Sequence, residues 1–371
     1  MTNNTTSALL LLIIRSPFGI IEVSVLTIVL TIVICVSLYG NGGLLYVLYC
    51  NDKMWTSYYL LIGNLATAGV LISLFSMPFS LGTIITGFWP FEENGICTAV
   101  AFLNSLLLLV TIFTHTMISV GKYFAVVKPF SRAMTVKRTK LLIIGIWLLA
   151  VLISIGPLFN FGRYSYGRTT LACGTGFPQN KTEMLYLLVL AFVGFVLPNI
   201  IMAYVYVNVF ISVRQHSKRL GKSTSSTSTE NVMSLHKKLI LAALSSLICF
   251  LLCWSPFCIF VLMSIFVGSR DNLPHALGIS AYWCGFAYNA LNPFIIASMC
   301  SRFGEGLRDL TVTLSRIPLQ LCSYLKEECA SCCCKRCRFK KMLDVADATS
   351  LTSTTTAKAY AKYTIKETSG H

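Results

Sequence analysis

Charged residues are scarce in this chain: they make up 12% of its 371 residues, against 55% hydrophobic residues. A soluble domain averages roughly 25% charged residues, so this chain has too few to cover a water-facing surface. A disordered chain is excluded as well, because the hydrophobic fraction is high and the mean hydropathy is +0.71. The class that remains is an integral membrane protein.

Acidic residues are the rarer charged kind, with 14 Asp and Glu against 30 Lys and Arg, which gives a net charge of +16. Such an excess indicates nucleic-acid binding only where the basic residues cluster on one face of a soluble fold. We therefore expect no nucleic acid among the partners.

Seven stretches contain no Asp, Glu, Lys or Arg and are long enough to cross a bilayer, which takes about 20 residues of helix. None shows the ten-residue alternation of a membrane β-barrel. Because lipid offers the backbone no hydrogen bonds, these stretches are predicted to be helices. The predicted fold class is an all-α membrane protein, a seven-transmembrane helix bundle. The stretches are 23–51, 54–91, 94–121, 141–162, 184–213, 239–269 and 272–301.

The distribution of charge predicts the orientation of the bundle. With the N-terminus outside, the cytoplasmic segments hold 25 of the 30 cations and nine of the 14 acids, and the outer segments hold five of each. This asymmetry follows the positive-inside rule. The expected location is the plasma membrane, with an extracellular N-terminus.

Glycosylation sequons and cysteines agree with this orientation. Asn3, Asn4 and Asn180 each begin an Asn-x-Ser/Thr sequon on the outer side, where glycosylation takes place. Of the 15 cysteines, only Cys97 and Cys173 are extracellular, and a single pair in the oxidising compartment predicts a disulfide.

Groups that carry catalysis or ion transport are missing from the predicted spans. No Asp, Glu, Lys or Arg lies inside a span, and His115 is the one side chain in the middle of a span that titrates near neutral pH, since His275 lies at the outer end of the seventh. We find no metal-ligand spacing and no Ser/His/Asp set, so neither an enzyme, a metal nor a cofactor is expected. A transporter or channel of unfamiliar topology stays open as an alternative, although the chain has no matching halves.

Short motifs recur at fixed places in several spans. In their joint order and spacing over residues 20–316 they resemble the rhodopsin-like family of G-protein-coupled receptors. The motifs include Gly40-Asn41, Asn64-Leu65-Ala66, Trp89-Pro90-Phe91, Pro129-Phe130, Cys253-Trp254-Ser255-Pro256 and Asn289-Ala290-Leu291-Asn292-Pro293.

The resemblance implies a ligand pocket that opens to the outside among the third, fifth, sixth and seventh spans. Asn104 stands where amine receptors of the family carry an aspartate, and Phe286 stands where visual pigments carry the retinal-binding lysine. The expected ligand is therefore neither an amine nor retinal, which leaves a neutral small molecule, a lipid or a short peptide. The matching pocket positions are Asn104, Ser105, Leu108, Trp254, Phe257, Val261, Tyr282 and Phe286.

The resemblance also implies an activation switch between this pocket and the cytoplasm. Prolines inside helices create kinks, and asparagines in lipid seek partners on other helices. These groups are alternatively no more than packing and hydrogen bonds that hold the bundle together. The switch positions are Ile112, His115, Lys122, Tyr123, Pro198, Tyr206, Phe250, Trp254, Pro256, Asn292 and Pro293.

Several signature positions depart from the family pattern. Gly69 replaces the aspartate that holds sodium, so sodium modulation is expected to be absent. Gly121-Lys122-Tyr123 replaces the acid–arginine–tyrosine triplet, and His236 replaces the usual acidic partner, so the family's ionic lock is not expected to form. Ile296 replaces a tyrosine that helps to hold the active state. These losses fit a working but atypical receptor, or else a decoy or arrestin-biased receptor with weak G-protein coupling.

His115 lies two helical turns before Lys122, where the family usually has an apolar side chain. One interpretation is a neutral histidine bonded to Asn292 or to a backbone carbonyl. The other is a proton sensor that takes the place of the missing aspartate.

The cytoplasmic side carries the expected partner sites. Lys122 and Phe130 are the predicted contacts with a heterotrimeric G protein. Ser/Thr tracts at 223–229 and 349–356 are candidates for phosphorylation that recruits arrestin.

The expected organisation is an extracellular N-terminus at 1–19, a receptor domain at 20–300, an amphipathic membrane-surface helix at 301–317 and a tail at 318–371. The helix is predicted from Phe303, Leu307, Leu310 and Leu314, and it is expected to lie on membrane lipids of the inner leaflet. Five tail cysteines beside basic residues predict palmitoylation, with zinc as the weaker alternative. They are Cys329, Cys332, Cys333, Cys334 and Cys337.

Overall fold

The computed structural model describes residues 19–51, 54–91, 94–128, 130–131, 133–168, 170–220, 227–267 and 275–330. Of the helices in these ranges, six are long and apolar enough to cross a membrane, and the seventh span packs between the sixth and the first. The predicted seven-helix bundle is confirmed. Its spans are Ile20–Cys50, Ser57–Phe75 with Met77–Thr86, Asn94–Val126, Val136–Ser154, Lys181–Leu220 in three segments, Thr227–Phe266 and His275–Met299.

Breaks in the spans coincide with residues that cannot continue a regular helix. The second span is interrupted at Ser76, and its outer segment restarts with Pro78 in the first turn, where a missing N–H costs nothing. The fifth span consists of Lys181–Ala191, a π-helical segment Phe192–Val196 and Leu197–Leu220. Pro256 and Pro293 lie inside the sixth and seventh spans, where each removes a backbone hydrogen bond.

The third span is the centre of the bundle. It packs against the second, fourth and fifth spans, and its residues 105–116 are buried except for the half-buried Leu108. Phe250 of the sixth span and Tyr288 of the seventh meet it there, at 0% and 2% exposure. Leu152 and Phe210 lie on the outer surface of the bundle and are exposed in the protein alone. In a membrane this surface would be covered by lipid.

A β-hairpin that the sequence did not predict lies in the outer loop between the fourth and fifth spans. Strand β1, Tyr164–Gly167, pairs antiparallel with strand β2, Ala172–Thr175, with Tyr166 opposite Cys173. A disulfide joins Cys173 to Cys97 at the outer end of the third span. The hairpin is therefore held covalently over the outer end of the bundle.

A further helix follows the seventh span. It covers Ser301–Ala330, beyond the expected end at 317. Phe303 and Leu307 are buried against Leu44 and Val47 of the first span. The chain divides into a compact unit up to Leu310 and a second unit from Thr311 onward, which contains the remainder of this helix.

Loss of the disulfide is expected to destabilise the folded receptor. Cys97→Ser frees a loop of 76 residues, for which the chain-entropy relation gives about 4 kcal/mol. The thermal unfolding midpoint of the purified protein should fall by many degrees. Cys35→Ser, which removes an exposed free thiol from the first span, is the control and should leave the midpoint unchanged. An equal effect of both variants would contradict the assigned role.

Candidate functional site

A cavity of about 60 Å³ lies beneath the hairpin, among the second, third, fifth, sixth and seventh spans. Seven of the eight predicted pocket residues line it, and the exception, Val261, lines a neighbouring cavity. The sequence missed the two hairpin residues Gly174 and Thr175, which form the outer wall. The seven are Asn104, Ser105, Leu108, Trp254, Phe257, Tyr282 and Phe286.

The hairpin covers part of this pocket on its outer side. Asn104 donates its Nδ2 hydrogen to the Cys173 carbonyl over 3.0 Å, and its Oδ1 accepts from Ser76. Thr83 donates to the Leu171 carbonyl over 2.7 Å. Asn104, which is predicted to contact the ligand, therefore also holds the hairpin against the third span.

Tyrosine side chains of the hairpin are neutral at physiological pH. Burial raises the pKa of Tyr164 and also that of Tyr166, the latter to about 12. Tyr164 donates its hydroxyl hydrogen to the Ser154 carbonyl over 2.7 Å, which ties β1 to the end of the fourth span.

A second cavity, of about 170 Å³, adjoins the pocket between the third, fifth and sixth spans. We call it the lateral cavity. Leu108, Leu190, Trp254 and Phe257 line both cavities, and Val261 belongs to the lateral one. The two cavities are therefore separated by no more than these shared side chains.

A column of rings continues inward from the pocket. The Trp254 ring lies 6.2 Å from that of Phe250, which lies 5.5 Å from Tyr288 and 5.6 Å from His115, centroid to centroid. Ile112 belongs to the same buried cluster. Stacked and edge-on rings at these distances transmit displacement because a packed core cannot absorb it.

The fifth span contributes to this column through an unpredicted residue. Pro198 is buried, but the ring that reaches Phe250 is that of Phe195, at 6.4 Å between centroids. Phe195 belongs to the π-helical segment. The sequence did not predict this segment, because no residue in it is typical of a π-helix. Deeper in the bundle, Ser119 donates to the hydroxyl oxygen of Tyr206 over 3.1 Å.

His115 is buried and shares a hydrogen bond with the hydroxyl of Tyr288 through Nε2. The same hydroxyl donates to Asn292 Oδ1 over 3.3 Å. The structure therefore connects His115 to Asn292 through Tyr288, four residues before Asn292 on the same helix face. Nothing in the sequence marked this tyrosine.

Neutral polar groups occupy the region where the family's acid is missing. Asn289 donates to the Gly69 carbonyl and to Ser37 Oγ, each over 3.0 Å. Asn41 donates to the Asn289 carbonyl over 3.1 Å, and Ser73 donates to Ser37 Oγ over 2.7 Å. A Cβ added to Gly69 would lie 2.5 Å from Asn41 Cγ. Asn41 therefore fills the space that a side chain at Gly69 would need.

Lys122 is buried at 8% exposure near the cytoplasmic end of the third span. Its Nζ lies 3.8 Å from the ring centroid of Tyr58, at the start of the second span. This is a cation–π contact, and such contacts strengthen when water is excluded. In the described part of the chain, the predicted cation of the switch is thus paired with a ring, which the sequence did not indicate.

The remaining predicted positions lie on or near the cytoplasmic face. Tyr123 packs against Val205 and Val209 of the fifth span. Phe130 is 98% exposed, as a contact residue for another protein would be. At Pro293, the first span approaches so closely that a Cβ on Gly40 would lie 2.9 Å from the proline Cβ.

The predicted modification sites are mostly beyond what the structure describes. Asn3 and Asn4 lie outside the described residues, and Asn180 is exposed, where its side chain caps the fifth span by accepting from the Glu183 N–H over 2.9 Å. Among the described residues, no group of three His, Cys, Asp or Glu could hold a metal ion. Cys329 lies near the end of the last helix, and outside the described residues lie Cys332, Cys333, Cys334 and Cys337.

Gly69→Ala tests the packing of Asn41 into the vacant position. The added methyl group forces the Asn41 side chain out of its hydrogen bonds, and overpacking of this kind costs about 1–3 kcal/mol. We expect a lower thermal unfolding midpoint in detergent.

Gly82→Ala in the same span is the matched control, since no atom lies within 4 Å of its added Cβ. It should keep or slightly raise the midpoint, because alanine favours helix. If Gly69→Ala were as stable as Gly82→Ala, the close packing of Asn41 would be wrong.

Comparison with known proteins agrees with the seven-helix bundle described above. Residues 40–296 match the family described as 7 transmembrane receptor (rhodopsin family). The chain is similar to somatostatin receptor type 4 of Rattus norvegicus, at 29% identity over 75% of this chain and 70% of that receptor. It is also similar to rhodopsin of Enteroctopus dofleini, at 26% identity over 79% of this chain and 66% of that protein.

A third relative is the high-affinity lysophosphatidic acid receptor of Xenopus laevis, at 24% identity over 76% of this chain and 80% of that receptor. Among solved structures, the crystal structure of squid rhodopsin is similar in fold, with a TM-score of 0.69 and 23% identity, covering 79% of this chain and 87% of that one. A family match over residues 40–296 spans well over half of the chain. The chain therefore belongs to the rhodopsin family of seven-transmembrane receptors.

Proposed function

We propose that this receptor sits in the plasma membrane with its N-terminus outside, binds a ligand beneath the hairpin and signals through heterotrimeric G proteins. The observation that carries the proposal is the unbroken column of contacts from the pocket to the cytoplasmic half of the bundle. It runs from Trp254 through Phe250 and Tyr288 to Asn292. A ligand that displaces Trp254 would thus act on the kinked part of the seventh span.

The proposed ligand is neutral. In the part of the chain that the structure describes, no charged side chain lines the pocket, and an unpaired charge inside it would be costly. The relatives include a somatostatin receptor and a lysophosphatidic acid receptor, so a peptide ligand and a lipid ligand are both represented among them. The pocket volume of about 60 Å³ beneath the hairpin favours a small or slender molecule over a peptide.

Lys122 and Tyr58 are proposed to hold the resting state. The contact joins the cytoplasmic ends of the second and third spans, so we propose that activation moves these two ends apart. It takes the place of the ion pair that this sequence cannot form, because Gly121 stands where the family has an acid. In this state Lys122 is buried, so its proposed contact with the G protein requires release from the ring.

The other proposed partners act at the cytoplasmic surface. Phe130, almost fully exposed, is proposed to insert into the G protein. Arrestin is proposed to bind after phosphorylation of the Ser/Thr tracts, and palmitoylated tail cysteines are proposed to anchor the segment after the seventh span to membrane lipids. The domain limits 1–19, 20–300, 301–317 and 318–371 are proposed on the same basis, as is glycosylation of the sequon asparagines.

A decoy or arrestin-biased receptor is the second candidate, and the burial of Lys122 without an acidic neighbour favours it. The two are separated by measuring the activation of each G-protein class and the recruitment of arrestin in transfected cells. Activation of at least one G-protein class above mock-transfected cells is expected. Arrestin recruitment with no G-protein activation under any ligand would replace the proposal with the second candidate.

Tyr58→Leu is expected to raise ligand-independent G-protein activation. It removes the ring that pairs with the Lys122 ammonium, and a desolvated cation–π contact is worth about 2 kcal/mol, or roughly 30-fold in the resting equilibrium. The measurement is basal nucleotide exchange on the G protein at matched surface expression.

Tyr58→Phe keeps the ring and loses only the hydroxyl, so it should stay near the wild-type level. A basal rate for Tyr58→Leu that equals that of Tyr58→Phe would show that the contact does not hold the resting state.

A further inference from the structure

The lateral cavity reaches the surface of the bundle that faces the bilayer. Val196 of the fifth span and Leu262 of the sixth both line the cavity, and they are 42% and 46% exposed. In a membrane, the outer surface of the fifth and sixth spans at Val196 and Leu262 would contact lipid. The π-helical segment Phe192–Val196 forms this edge of the cavity, where Gly194 lets the fifth span approach Leu109 so closely that a Cβ would lie 2.9 Å from its side chain.

The route from water to the same pocket is covered. Cys173 and Leu171 are bonded to Asn104 and Thr83, and Gly174 lies directly against the Tyr282 hydroxyl. The disulfide holds β2 in this position. A ligand that reaches Trp254 through the lateral cavity leaves these contacts intact, whereas one that arrives from water has to pass the hairpin that they hold.

The lining of the lateral cavity indicates the chemistry of its occupant. Among the described residues that line it, none has a charged side chain, and almost all of its surface is hydrocarbon. A volume of about 170 Å³ is on the scale of the engineered apolar cavity of roughly 150 Å³ that stays free of water and binds benzene. One alkyl chain suits such a space, while a phosphate or a carboxylate would be buried there without a partner.

A buried polar atom of Trp254, one of the residues that line the lateral cavity, narrows the chemistry of the ligand further. Trp254 lines both cavities, and in the described part of the chain its indole Nε1 is buried without a hydrogen-bond partner. An indole nitrogen donates and never accepts. Buried donors are nearly always paired in folded proteins, so this one points to an acceptor supplied by the ligand.

We infer that the ligand is a neutral lipid with one alkyl chain and an ester or amide carbonyl, which enters from the bilayer between the fifth and sixth spans. Its carbonyl accepts from Trp254 Nε1, and its chain lies in the lateral cavity. This inference names the ligand class for the site described under the proposed function and rests on that proposal for the role of the pocket.

The experiment uses the full chain in phosphatidylcholine nanodiscs that contain 1 mol% of a photoreactive probe. The probe is a 1-monoacylglycerol whose acyl chain carries a diazirine and a terminal alkyne, and the free fatty acid with the same chain is the charged comparison. After irradiation, cross-linked peptides are identified by mass spectrometry. We expect labelling of the third, fifth and sixth spans around Trp254, at least fivefold stronger with the monoacylglycerol than with the fatty acid.

Three variants make the test specific. Val196→Trp blocks the edge of the lateral cavity and should reduce this labelling about fivefold. Ile200→Trp places the same bulk one turn away, on a 58% exposed position that does not line the cavity, and should leave labelling unchanged. Trp254→Phe keeps the ring and loses the N–H, which is expected to cost roughly 2- to 10-fold in binding. Thermal unfolding of each variant checks that it is folded.

Labelling that is confined to the outer, lipid-facing side chains, or that is equal for Val196→Trp and Ile200→Trp, would overturn the inference. So would equal labelling by the fatty acid, or a Trp254→Phe variant that labels like wild type. Cavity labelling without activation of any G protein supports the inference and refutes the proposed function. G-protein activation by a water-soluble ligand without cavity labelling does the reverse.

Discussion

The absence of a carboxylate from the predicted membrane stretches is the constraint on which the rest of the structure depends. In lipid, each polar group has to find a partner inside the protein, and without an acid every partner must be neutral. Asn289 bonds to a backbone carbonyl, His115 bonds to a tyrosine, and Lys122 lies over a ring. The scarcity of charged residues that identifies the chain as a membrane protein therefore also determines which polar contacts form inside the bundle.

The neutral interior also makes the bundle tight where the family leaves room for an ion. Gly69 has no side chain, and Asn41 packs against it while donating toward the seventh span. Gly40, one residue earlier, lets Pro293 approach to contact. Two adjacent residues of the first span thus position the kinked half of the seventh.

Sequence alone predicted the bundle, its motifs and seven of the residues that line the cavity, because hydrophobic length and motif spacing are patterns that can be recognised without a structure. It did not predict Tyr58, Phe195 or Tyr288, since an ordinary aromatic residue in a membrane helix gives no sign of which partner it meets. The hairpin was missed for a related reason: strands of four residues in a loop are too short for a periodic signal. Partners that are distant in the chain require the packing itself.

The pairing of Lys122 with the ring of Tyr58 determines how this contact responds to the pH and the ionic strength of the cytosol. An ion pair between a cation and a carboxylate opens when the acid takes up a proton, and it weakens as ionic strength rises. The face of Tyr58 has no proton to gain, and its attraction for the ammonium comes from a quadrupole shielded from solvent. This contact therefore lacks the response to acidification and to salt that an ion pair with an acid would have at the same point.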